Sequence, residues 1–215
     1  MRDVFRMAPE GIAPVGLCML LAALLWSALR GPYYLVPLSL GLFLAYFFRD
    51  PERRPCGEGV LSPADGRVVE VGRVLDDFVG DAHRVGIFMS PFDVHVNRSP
   101  VEGKVVGVRY VPGKRAVAFA PKASEVNERN YVMIEGPLGR FKVCQIAGLL
   151  ARRIVCYVGE GSSLSRGQRI GIIKLGSRVD LYMPSCYLPL VKVGDRVKAG
   201  SSVIGVMSHE EREKG

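Results

Sequence analysis

Three polar clusters interrupt otherwise apolar, strand-like sequence: LSPADGRVVEV (61–71), FMSPFDVHVNRSP (88–100) and IIKLGSRVDLYMP (172–184). They contribute Asp65, His95 and Ser177 in turn. A carboxylate, a histidine and a serine can act as orienting group, base and nucleophile in any chain order, because geometry defines such a triad. Each residue also has a plainer reading. Asp65-Gly66 has the composition of a hairpin turn. His95 alternates with Val94 and Val96, which puts Asp93, His95 and Asn97 on one strand face, where a lone histidine is usually structural. Gly176-Ser177 would serve equally to bend the chain between two strands. Two rival pairs, Gly161-Ser162-Ser163 and Gly200-Ser201-Ser202, lack the alternating charged strand RVDLYMP that follows Ser177. Five scattered cysteines form no CxxC pair, and with three histidines they offer no metal-ligand spacing, so the expectation is a reduced, cytosol-facing protein without a metal.

The elements that must position these residues fall into two parts. Residues 11–29 and 31–48 carry no charge, flank Arg30-Gly31-Pro32, and read as a hydrophobic helical hairpin in which each run is just long enough to cross a bilayer. Arg2, Arg6, Arg49, Arg53 and Arg54 flank the hairpin while only Arg30 sits in its loop, which favours both ends in the cytoplasm. A hairpin lying in one leaflet would satisfy the same composition, since Pro14 and Pro37 interrupt the runs. The first domain is accordingly drawn as residues 1–55. Residues 56–215 carry short Val/Ile-rich stretches between glycine turns, the pattern of a mainly β domain, with 123–130 (ASEVNERN) as a short helix or irregular segment. Leu164xxGly167xxIle170 and Val197xxGly200xxVal203 resemble each other and the return strands of biotinyl or lipoyl-type domains, suggesting a flattened, pseudo-symmetric barrel-sandwich with a few short helices. The net charge of +8 is spread without Lys/Arg runs or interleaved aromatics, which suits an anionic membrane surface and argues against nucleic acid.

SPADG, SPFDVHVN, NERN (127–130) and GxxIGxIKxGSRVDLYxP, in that order behind a hydrophobic hairpin, resemble the short bacterial and archaeal form of phosphatidylserine decarboxylase. The resemblance covers essentially the whole chain and is sharpest over residues 60–184. It implies that the Gly176–Ser177 bond cleaves itself: Ser177 Oγ attacks the Gly176 carbonyl, the acyl group shifts from nitrogen to oxygen, and β-elimination separates chain 1–176 from chain 177–215. A covalent pyruvoyl group is left at position 177. That ketone would form a Schiff base with the substrate amine and accept the electrons of decarboxylation, so neither pyridoxal phosphate nor metal is needed. The implied substrate is a membrane phospholipid, phosphatidylserine or its archaeal ether counterpart archaetidylserine, and the product is the ethanolamine phospholipid. The implied place is the cytoplasmic side of the inner membrane, with the two cleavage chains associated; an exposed sheet edge would give a homodimer its contact.

Asp65 and His95 match motif positions that the resemblance assigns to the active site. In longer bacterial forms a second histidine, three residues on, belongs to the cleavage triad; this chain has Arg98 there. His95 then serves decarboxylation chiefly, with strain and Asp65 assisting cleavage, or it serves both steps. Arg98 is suited to a lipid phosphate or the substrate carboxylate, and Asn127 and Glu128 take supporting places. The residues alone also admit a membrane-anchored Asp/His/Ser hydrolase, which would stay one polypeptide, and a non-catalytic barrel-sandwich carrier or adaptor.

Overall fold

The computed structural model describes residues 6–29, 31–113, 127–148, 153–174 and 177–208, and divides the chain into Met1–Glu52 and Arg53–Gly215. In the first unit, helix α1 (Pro9–Ala28) and a single 3-10 turn (Pro32–Tyr34) lead to helix α2 (Leu35–Phe47). Pro9 opens α1, where its missing N–H costs nothing. The helices approach closely at Gly41, whose added Cβ would lie 3.1 Å from that of Cys18. The hairpin's two ends are tied together: Ala8 N donates to Phe48 O and Asp50 N to Arg6 O, at 2.8 and 2.7 Å. Among the described residues only α1 is long and apolar enough to cross a membrane. With the 3-10 turn before it, α2 makes a shorter apolar helix, Pro32–Phe47.

The second unit is mainly β. Its strands are β1 (Val60–Leu61), β2 (Gly66–Asp76), β3 (Gly80–Met89), β4 (Val96–Arg98), β5 (Gly103–Val111), β6 (Arg129–Gly136), β7 (Gly139–Ala147), β8 (Ile154–Cys156), β9 (Ser163–Leu164), β10 (Arg169–Ile173), β11 (Ser177–Pro184), β12 (Tyr187–Pro189), β13 (Arg196–Val197) and β14 (Val203–Met207). One eight-stranded sheet runs β13-β2-β3-β11-β7-β6-β5-β9, beside two three-stranded sheets, β1-β14-β12 and β4-β10-β8. The core is made of apolar side chains from all three, among them Val60, Ile87, Val132, Phe141, Ile170, Leu181 and Ile204, all fully buried. Each contributes about 1.5–3 kcal/mol by leaving water.

This order is a duplication. Strands β4 to β10 correspond one for one to β1, β2, β3, β11, β12, β13 and β14, so one seven-stranded half is inserted into the other between β3 and β11. Both β2–β3 and β5–β6 carry a bulge at the matching place, Val68/Glu70 and Val105/Gly107. The duplication also shows in the residues: LSPADG (61–66) matches RSPVEG (98–103). Arg98 N donates to Pro63 O at 2.9 Å and Leu61 N to Pro100 O at 3.0 Å, reciprocal bonds about a pseudo-twofold axis. Ser62 Oγ donates to Ala64 O and Ser99 Oγ to Val101 O, at 2.7 and 2.6 Å. The turn glycines of the two repeats, Gly167 (φ +81°) and Gly200 (φ +66°), lie against each other. What the sheet order establishes is this duplication, not the biotinyl or lipoyl-type likeness.

Three local expectations change. Asp65-Gly66 closes no hairpin, because β1 pairs with β14 while β2 pairs with β3 and β13. Arg129 and Asn130 begin β6 instead of ending a short helix or irregular segment; residues 123–126 lie outside the described residues. The strands around His95 and Ser177 are buried on both faces, although alternation suggested one.

Candidate active site

Ser177 is the first residue of β11, a central strand whose neighbours are β3 and β7. Its register partners are Met89 and Ala147. Ser177 shares the core-facing side with Val179, Leu181 and Met183, since alternate residues of a strand point the same way. It is fully buried, and Oγ has no hydrogen-bond partner among the described residues. A buried hydroxyl without a partner costs about 1–3 kcal/mol, which calls for a reason beyond packing. The rival serines are used otherwise: Ser162 Oγ accepts from Gly159 N and Ser202 Oγ from Lys198 N, as turn-forming hydroxyls do. Gly176 lies outside the described residues.

His95 immediately precedes β4 and is fully buried. Its Nδ1 lies 2.9 Å from Asp93 O. A carbonyl only accepts, so Nδ1 carries the proton and Nε2 of the neutral ring carries the lone pair that a base needs. Two links bring this histidine toward Ser177. Ile173 N donates to His95 O at 3.4 Å, and four residues further along the chain comes Ser177, at most about 14 Å away. Asn97, on the same strand face as His95, donates to Met89 Sδ at 3.7 Å, and Met89 is the residue opposite Ser177.

Asn97 belongs to a chain of buried amides that the sequence did not single out. Asn130 Nδ2 donates to Gln145 Oε1, and Gln145 Nε2 to Asn97 Oδ1, both at 2.9 Å. Gln145 crosses between sheets where Gly171 leaves room; a Cβ there would sit 2.8 Å from Gln145 Nε2. The available signal was an amide embedded in each of two apolar strands, NYVMIEG and RFKVCQIAG. Asn127 and Glu128 hold the strand beside the serine: Asn127 Nδ2 donates to Ala147 O at 2.7 Å and Ala147 N to Glu128 O at 2.9 Å.

Asp65 is nearly buried, with Oδ1 accepting from Ala199 N at 2.7 Å and Oδ2 from Arg53 at 2.9 Å. Arg98 is buried with Nη1 donating to Gly167 O at 3.1 Å, and its Cδ lies where a Cβ on Gly200 would be, one residue from the donor to Asp65. Both side chains are therefore built into the turns of the two repeats.

The duplication also assigns each of these residues a counterpart in the other half. Shifting one half onto the other takes Asp65 to Glu102, His95 to Glu58 and Ser177 to Gly139. Glu102, Glu58 and Leu138, the residue before Gly139, line a single cavity of about 420 Å³ with Arg166, Tyr187 and Met207. That cavity is at the other end of β11 from Ser177, so it is not the serine's own pocket. Two of its wall residues, Glu102 and Glu58, are the counterparts of Asp65 and His95. His95 lies on the segment by which the chain enters the inserted half, and Ser177 begins the strand to which it returns.

A sequence model of the phosphatidylserine decarboxylase family matches residues 40–205. A phosphatidylserine decarboxylase proenzyme of Nitratidesulfovibrio vulgaris is 48% identical over 208 residues, covering 94% of this chain and 95% of its own. Another, of Solidesulfovibrio magneticus, is 47% identical over 209 residues, 94% of this chain and 97% of its own. An Archaeoglobus fulgidus protein named "Putative archaetidylserine decarboxylase proenzyme" is 45% identical over 194 residues, 87% of this chain and 92% of its own.

Proposed function

The chain belongs to the phosphatidylserine decarboxylase family, and from that premise we propose that Ser177 is converted by self-cleavage into the pyruvoyl group with which the chain decarboxylates its phospholipid. The observation that carries the reading is the buried, core-facing Ser177 Oγ without a partner among the described residues, at the start of a rigidly paired strand and directly after a glycine in the sequence. Oγ bonds to the Gly176 carbonyl carbon as the amide C–N bond breaks, and the hydroxyl proton ends on the freed nitrogen. Elimination takes the proton from Ser177 Cα and expels the Gly176 carboxylate. One water then replaces the nitrogen, released as ammonia, to leave the ketone. Chains of 176 and 39 residues result.

The surroundings suit such a group: a closed core-facing site, the lone pair of His95, and neighbouring strands fixed by Asn127 and the amide chain. A pyruvoyl ketone supplies an electron sink beside the carbon that loses carboxylate. His95, through Nε2, takes and returns protons, either in decarboxylation alone or in cleavage as well. Asp65 holds the turn that carries the site. Arg98 anchors the opposing turns and is the cation nearest in sequence to His95 for an anionic substrate group. The two chains stay associated because β11 is paired on both sides. The apolar hairpin, flanked by Arg6 and Arg49, holds the enzyme on the cytoplasmic face of the inner membrane, where a serine phospholipid on a diacyl or an archaeal ether backbone presents the same headgroup.

Intact-mass measurement of the purified protein tests this reading. The wild type should show a fragment of about 4 kDa with a blocked, ketone-reactive N-terminus, and Ser177→Ala should show one uncut chain without decarboxylase activity. An active, unbroken wild type would refute it and favour a hydrolase. His95→Ala, followed for cleavage and decarboxylation separately, assigns its step; normal rates of both would remove it from the site.

A further inference from the structure

We infer that Arg178, gripped by Asp180 and Glu70 on the face of β11 opposite Ser177, holds the chain end created by self-cleavage in its sheet register. The inference rests on the maturation reading above. Cutting before Ser177 turns the first residue of an interior strand into a terminus, and termini fray unless tied down. A reacting group at that end has to stay within about 0.5 Å of its productive position. Arg178 is the first residue after it.

The guanidinium of Arg178 is almost wholly buried, its side chain 2% exposed. Nε donates to Asp180 Oδ1 and Nη2 to Glu70 Oε2, each at 2.5 Å. Glu70 stands on β2, and its other oxygen takes Arg84 of β3. The grip therefore spans three strands, from β11 across β3 to β2. It crosses β3 at Gly86, where an added Cβ would lie 2.6 Å from Arg178 Nη2 and 3.1 Å from Asp180 Oδ1. Burial raises the Glu70 carboxyl, but hydrogen bonds from Arg178 and Arg84 outweigh it and hold the group below its ordinary range. Burial pushes Asp180 up, with Arg178 offsetting part of the effect, and Asp180 Oδ2 has no hydrogen-bond partner among the described residues.

The sheet does not need this arrangement in order to form. The counterparts of Arg178, Asp180, Glu70 and Gly86 in the other half are Arg140, Lys142, Gly107 and Met133. Arg140 is at the surface, its side chain 57% exposed and paired with Glu135. Lys142 is buried and pairs with Asp76 and Asp77 at the end of β2, so the second half also buries a charge; a buried arginine held across three strands at the second residue of its strand appears only in the half where the chain is cut. Buried ion pairs are also poor stabilisers compared with well-packed apolar residues, so a positional role explains the grip better than stability does.

The test uses the full chain in detergent, with Glu70→Gln in the wild-type and the uncut Ser177→Ala backgrounds; Glu70 is partly exposed, and glutamine keeps an acceptor. Glu70→Gln should cleave to completion. In the cut enzyme, hydrogen exchange of the amides of 178–183 should quicken at least about tenfold, and kcat should fall about 10–100-fold with KM within about threefold. In the uncut background, exchange should stay within about threefold of the Ser177→Ala parent, because the intact chain holds the strand. The double variant Arg178→Met/Asp180→Leu, which removes the grip without stranding a charge, should behave alike and serves if Glu70→Gln misfolds. Cut variants with wild-type exchange and kcat, or equal loosening with and without the cut, would overturn the grip alone. A wild type with no cut would overturn the maturation reading, and the grip with it.

Discussion

Alanine at Gly66 and alanine at Gly103 make a matched pair, because the duplication places these glycines at equivalent starts of β2 and β5. Both have positive φ, +150° and +157°, and an added Cβ would lie 2.1 Å from Phe88 O in one case and 2.6 Å from Glu135 O in the other. Ordinary contact begins near 3.4 Å, so the partner strand must yield by more than 1 Å at Gly66 and somewhat less at Gly103. A left-handed conformation for alanine costs about 1–2 kcal/mol, and forced overpacking about 1–3 kcal/mol more. Each substitution should therefore destabilise by about 2–5 kcal/mol, or about 5–15 °C in Tm for a domain of this size. Function should separate them. Phe88 adjoins Met89, the partner of Ser177, and Gly66 follows Asp65; Glu135 pairs with Arg140 at the far end of β6 and β7. A displacement of about 1 Å at a reacting centre costs about 100-fold in rate. Gly66→Ala should slow appearance of the 39-residue chain by about that factor, and Gly103→Ala should leave it within about threefold. Thermal melts by circular dichroism in the Ser177→Ala background compare uncut proteins only, and timed intact-mass spectra measure cleavage. Equal slowing by both, or an unchanged Tm, would refute the reasoning from the pseudo-twofold axis.

Two further outcomes follow from ionisation. Burial drives the Cys144 thiol far above its ordinary range, whereas Cys56 is exposed, so alkylation at pH 8 should label Cys56 and spare Cys144 until the protein is unfolded; early labelling of Cys144 in the folded protein would contradict the packing of that strand face. Glu70, held below its ordinary range, contributes stability that is fully present above its unfolded pKa of about 4.3 and lost as pH falls through the lower folded value; Glu70→Gln should remove that part of the acid-side slope in Tm, and an unchanged slope would show that the carboxylate is not held by Arg178 and Arg84.

The stretch 172–184 by itself offers a serine that could equally bend the chain; the order of four motifs and their family resemblance single out Ser177. Gly-Ser before a strand that alternates Val, Leu and Met with Arg, Asp and Tyr is a local pattern, and so are the apolar hairpin runs and the short β stretches between glycines. Steric and hydrophobic periodicity act over a few residues, which is why such features can be read directly from the chain. Register and sheet membership involve partners far apart in sequence. Alternation put Arg178 and Asp180 on a polar face and Gln145 inside a nondescript apolar strand, and it could not reveal that Glu70, 108 residues from Arg178, would close over that face. Nor could a reading of two similar turns show that LSPADG and RSPVEG mark halves interleaved so that His95 lies where the chain enters the inserted half and Ser177 begins the strand to which it returns.

The sequence by itself therefore determined the kinds of element, the apolar N-terminal helices and, through its motifs, the family and the serine proposed to react. Tertiary structure alone decided that the serine's hydroxyl is sealed without a partner among the described residues, that a chain of amides reaches toward it, and that an arginine is buried behind it. The physical reason is range: conformational preferences belong to neighbouring residues, whereas burial and charge pairing are settled only when distant strands dock.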